Sequence, residues 1–190
     1  MIKAYTDFKA EKTGSPREIL PAGGYVAKII SAKVESREWG DTLVIAYDIT
    51  EGEFTGFFKR DFDNNPNEDK KWRGTLRLTI PNDSTDDRNV WRKKAFNNFV
   101  ACIEESNPKF NWEWDETKLK NKAIGILVRE REWEMDGRTG WTTEASSTAT
   151  VDAIREGKFR IPKPYALRKA ETAIQSFTAE TAADDTELPF

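Results

Sequence analysis

The spacing of apolar residues changes twice along this chain, and those changes limit the folds open to it. In residues 25–34, Val26, Ile30, Ala32 and Val34 fall on one face, which Lys28 interrupts. In Thr42–Ile49, Leu43, Ile45, Tyr47 and Ile49 take every second position. A period of two is that of a strand with one buried face. Residues 57–62 and 75–80 are further strand candidates, separated by the loop-forming run Asp63-Asn64-Asn65-Pro66-Asn67. Between residues 89 and 105 the period becomes helical, with Phe96, Phe99, Val100 and Ile103 at i, i+3, i+4 and i+7. The polar residues 84–87 offer an N-cap, and Asn107-Pro108 ends the helix. Strand patterning then returns in residues 123–133, turns at Asp136-Gly137, and continues in residues 141–147.

Three strands, a helix and two more strands is the order of a five-stranded, OB-type Greek-key barrel, which carries its helix between strands 3 and 4. The expected fold is therefore mainly β. Residues 1–21 read as an N-terminal extension and 22–165 as the barrel domain. Residues 166–190 read as a flexible acidic tail. A short helical turn at Ile154-Arg155-Glu156 ends at Gly157 and leads into a basic stretch, Lys158, Arg160, Lys163, Arg168 and Lys169.

Composition narrows the chemistry. With no histidine and one cysteine, Cys102, a His-dependent nucleophile cannot be assembled, a zinc site is nearly excluded, and no internal disulfide can form. Asp61-Phe62-Asp63-Asn64-Asn65 begins like a calcium loop, but Pro66 stands where glycine is needed and Trp72 where a bidentate glutamate is needed. No metal, no cofactor and no catalytic residue is expected. No run approaches eighteen apolar residues, and the first residues lack a signal peptide's apolar core, so a cytoplasmic protein without a membrane partner is expected. The net charge of −3 is unevenly placed. Residues 171–190 hold five acids and no Lys or Arg, leaving 28 acids against 30 bases in residues 1–170, a net of +2.

Two features point to function. The first is aromatic and basic interleaving: Trp39, Phe57-Phe58-Lys59-Arg60, Trp72-Arg73, Arg77, Arg129, Arg131, Trp133, Arg138 and Trp141. Flat rings stack on unpaired bases at about 1–3 kcal/mol each, and cations take the phosphates, so these residues are the candidates for contact with single-stranded DNA. Core packing is the alternative for each ring, and Phe96 and Phe99 belong there. Glu130, Glu132 and Glu134 alternate with Arg129, Arg131 and Trp133, which makes one strand face basic.

The second feature is the C-terminus, Asp184-Asp185-Thr186-Glu187-Leu188-Pro189-Phe190. It presents a terminal ring and a free carboxylate on an acidic leash, which fits an apolar pocket with a basic rim. This tip resembles that of bacterial single-stranded DNA-binding proteins, which end in acids, an apolar residue, Pro and Phe; Thr186 is the departure. The resemblance implies that Leu188, Pro189 and Phe190 bind replication or recombination proteins while Asp184, Asp185 and Glu187 steer them in. The body is also similar to a phage-encoded family found beside recombination genes. The matching blocks are Leu20-Pro21-Ala22-Gly23-Gly24-Tyr25, Gly40-Asp41, Glu51-Gly52, Gly56-Phe57-Phe58, and Ile154-Arg155 with Gly157. The expected function is single-stranded DNA binding without strong sequence preference during phage replication or recombination, with a homo-oligomer left open. The rivals are a metal-dependent nuclease and a protein-binding adaptor or inhibitor.

Overall fold

The structure, a computed structural model, describes residues 18–38 and 40–167. The expectations for the N-terminal extension, Trp39, the tail and its tip lie largely or wholly outside those residues. The described elements run β1 (Gly23–Glu35), β2 (Thr42–Ile49), α1 (Phe57–Asp63), β3 (Thr75–Thr79), α2 (Asp87–Ser106), a 3-10 turn (Glu116–Leu119), β4 (Ala123–Met135), β5 (Arg138–Ala149) and α3 (Val151–Arg155). The strands form one antiparallel sheet in the order β3-β2-β1-β4-β5. Its two edges, β3 and β5, approach each other without a hydrogen-bonded ladder. Among the described residues no helix is long and apolar enough to cross a membrane.

The core lies between the sheet and α2. Leu43, Ile45, Tyr47 and Ile49 of β2 are all buried, as their alternation predicts, and meet Leu76, Ile124, Ile126 and Val128 from neighbouring strands. Phe96, Phe99 and Ile103 project from α2 into the same cluster, with Val100 at its margin. Asp86 caps α2 by accepting from the Asn89 amide at 2.8 Å, and Asn107 ends it. The Ser84 hydroxyl and that helix amide hold the Asp86 carboxyl below the usual aspartate range.

Two expectations are corrected. Residues 57–62 form helix, not strand. Gly56 starts α1 in the left-handed region, φ 70°, and supplies no side-chain cap. The carboxylate of Asp48, on β2, does so instead: it accepts from the amides of Phe58 at 3.0 Å and Lys59 at 3.3 Å. This turns Phe57 and Phe58 inward, at 2% and 7% exposure. In β1, Ala27 and Ile29 face the core and Ile30 is 41% exposed, whereas Ala32 and Val34 lie on the inward side as expected, opposite Ile45 and Leu43, with Val34 partly open near the strand end. A bulge between Ile29 and Ser31 inserts one residue and reverses the alternation, which a uniform period of two does not anticipate.

Sequence blocks far apart converge around a cavity of about 330 Å3 lined by Gly24, Tyr25, Glu51, Gly52, Ile154 and Arg155, among others. The Arg155 guanidinium donates to both Glu51 oxygens, at 2.6 and 3.1 Å. A Cβ on Gly24 would lie 2.8 Å from the Ile154 side chain, and one on Gly125 would lie 2.6 Å from it. Only glycine lets α3 sit this close to the sheet.

Candidate nucleic-acid interface

Beyond Val128, β4 leaves β1 and runs on with β5 as a two-stranded ribbon. Asp136 (φ 51°) and Gly137 (φ 73°) close it, both left-handed, as a two-residue hairpin turn requires. The side of β4 that β1 vacates is taken by the chain after α3. Glu132 N donates to Tyr165 O and Tyr165 N to Glu130 O, each at 2.8 Å, and the Leu167 amide donates to the Glu132 carboxylate at 3.0 Å.

A cleft of about 400 Å3 opens between β3 and this ribbon, the two unpaired edges of the sheet. Arg73, Thr75 and Arg77 line one wall; Arg129, Arg131 and residues 143–146 line the other; Tyr47 and Phe58 lie at its base. Four guanidiniums therefore share one concavity, and among the described residues Glu144 is the only acid in the lining. Arg129 donates to one Glu144 oxygen through Nε at 3.0 Å and Nη2 at 2.7 Å, and Arg131 donates to the other at 2.9 Å. One carboxylate thus orients two guanidiniums and neutralises only one of them. Arg77 donates to the Thr75 hydroxyl at 3.0 Å, and Arg73 pairs with Asp61 at 3.1 Å. The Arg129 guanidinium also lies over the Tyr165 ring, 4.9 Å from its centroid. Fixed planar donors around an open cavity are suited to phosphate oxygens.

The expected site residues divide by position. Arg73, Arg77, Arg129 and Arg131 are brought together in the cleft. Trp133 shares the face of Arg129 and Arg131 by strand alternation, lies over Gly140, and is 36% exposed. Arg138 continues that face at the hairpin tip, opposite Met135. Trp141, 48% exposed, pairs with Glu132 on the other face, so it and Trp133 cannot flank the same bases. Trp72 is half-buried, and its indole N–H donates to the Tyr47 carbonyl at 3.1 Å and the Gly74 carbonyl at 3.2 Å. Lys59 pairs with Asp63 at 2.7 Å and Arg60 donates to the Thr55 carbonyl, both on α1 outside the cleft lining. Phe57 and Phe58 are buried core residues, and of the two only Phe58 reaches the base of the cleft.

Glu144 is the residue that reading for rings and cations misses. Its signal was present: the register set outward from Asp136-Gly137 places position 144 opposite Arg129. Among the described residues, no three acidic or thiol side chains converge to hold a metal ion.

Fold and site together define a mainly β protein with one open antiparallel sheet and an arginine-lined cleft between its edges. Neither a protein-family model nor a curated protein matches the sequence.

Proposed function

We propose that this protein binds single-stranded DNA in the cleft between β3 and the β4–β5 ribbon, with little sequence preference and no catalytic step. The observation that carries the reading is the convergence of Arg73, Arg77, Arg129 and Arg131 on one concavity whose basic face runs on to the half-open Trp133. Guanidiniums would hold successive phosphates while the indole stacks on a base. We read the sheet as an OB-type barrel: α2 lies between β3 and β4, and the edges β3 and β5 face each other across the bound strand. In this reading the C-terminal tip, Asp184 to Phe190, recruits replication or recombination proteins of a phage system. Removing Leu188, Pro189 and Phe190 should then abolish partner binding and leave DNA binding intact; retained partner binding refutes the role of the tip.

Titration with oligo-dT, followed by tryptophan emission, tests the cleft. Quenching at low salt is expected, and its absence overturns the reading. In the double variant Arg77→Ala, Arg131→Ala, affinity should fall. The slope of log K against log salt should also become shallower by about 0.7 for each phosphate that the variant no longer neutralises.

A further inference from the structure

A second basic cavity, of about 360 Å3, lies on the connector between α2 and β4. Lys109, Lys118, Lys120 and Lys122 line it with Phe110 and a single acid, Glu113. Lys118 pairs with Glu113, while Lys122 lies over the Phe110 ring at 4.6 Å. Among the described residues no carboxylate pairs with Lys109, Lys120 or Lys122.

The same connector displays Trp114, which at 73% is the most exposed large apolar side chain described. Its ring stacks on Phe96, nearly parallel at 10° with centroids 5.9 Å apart. The Trp112 ring also approaches it, tilted at 58° with centroids 6.2 Å apart, and the rest of the side chain is open to solvent. The backbone is also unusual here. Lys109 (φ 73°), Trp114 (φ 60°) and Asn121 (φ 67°) are three of the four non-glycine residues with positive φ among those described. Strain of this kind persists only where the surroundings enforce it, and it gathers at binding sites. Trp114 lies outside the cavity lining, but the one connector carries both components of single-strand recognition, an exposed indole for stacking and ammonium groups for phosphates.

We infer that this connector is a second contact for the same single strand, with Trp114 stacking on a base and Lys109, Lys120 and Lys122 holding phosphates. The inference rests on the cleft reading. Lys122 and Arg129 stand seven residues apart on either side of the start of β4, so these two residues, one from each site, are at most about 23 Å apart along the strand. A short oligonucleotide fills the cleft alone, whereas a longer one reaches both sites.

The test compares oligo-dT of about 6 and about 25 nucleotides, the short one near the lower limit of a single OB site and the long one beyond its upper limit. The variants are Lys109→Gln, Lys120→Gln, Lys122→Gln together, and Trp114→Ala alone. Both should weaken the long oligonucleotide about tenfold or more and leave the short one unchanged. The triple variant should also make the salt slope for the long oligonucleotide shallower by about 2, from about 0.7 per phosphate. Trp114→Phe and the three Lys→Arg replacements should retain binding. Unchanged affinity for the long oligonucleotide overturns the second site, as does an equal weakening on both lengths. Failure of the unaltered protein to bind either length overturns the cleft itself.

Discussion

Asp48 belongs to β2, yet it organises a helix that starts nine residues later. Its two oxygens accept from the amides of Ile49, Phe58 and Lys59, the last two being first-turn donors that α1 cannot satisfy itself. Asp48→Ala removes all of these acceptors. It should cost about 1 kcal/mol, the usual effect of deleting a capping side chain, measured as a shift in the urea midpoint at constant slope. Asp48→Asn, which keeps one oxygen, should be milder. An unchanged midpoint in the alanine variant removes Asp48 from the account of α1. Glu144 acts on the same scale: by holding Arg129 and Arg131 it decides which way two of the four cleft guanidiniums point.

Among the elements, the β4–β5 ribbon and α2 have opposite characters. In β4, residues 124–128 are buried, while most residues beyond them are exposed, so one strand serves the core at one end and the surface at the other. The ribbon keeps its register through the Asp136-Gly137 turn and closes Trp133 against Gly140, where any Cβ would meet the indole at 2.7 Å. Helix α2 buries Phe96, Phe99 and Ile103, and Phe96 also backs the exposed ring of Trp114. A core helix thus supports a surface platform, which ties the outer ring's orientation to interior packing.

Across the whole molecule, the Arg155–Glu51 ion pair joins residues 104 apart in sequence and fastens α3 to the end of β2. The guanidinium holds the Glu51 carboxyl below the ordinary glutamate value of 4.5. The sign follows from linkage. A carboxyl with a lowered pKa when folded adds stability above its unfolded pKa and loses it as pH falls through the folded one. Melting temperature should therefore decline as the solution is acidified below about pH 4.5. Arg155→Met should flatten part of that decline and slightly lower the melting temperature at neutral pH. Both groups are well exposed, so the effect is small and weaker in high salt. An acid limb identical in the variant assigns the decline to other carboxyls, Asp86 among them.

Much of this architecture was legible in the residues. The alternation of Leu43, Ile45, Tyr47 and Ile49, the helical stripe from Phe96 to Ile103 and the Asp136-Gly137 turn each use interactions between near neighbours, so sequence alone determined those elements and their buried faces. It also brought Arg129, Arg131 and Trp133 onto one face, because strand alternation is a local property. Tertiary structure decided the rest. Phe57 and Phe58 became helical core residues because a carboxylate from another strand captured their segment, and the β1 bulge switched that strand's inward face from Ala27 and Ile29 to Ala32 and Val34, with Ile30 outside both sets. The cleft exists because the sheet brings its two edges together, setting Arg73 and Arg77 opposite Arg129 and Arg131. Contacts between residues dozens of positions apart depend on how the whole chain closes, and no local period encodes them.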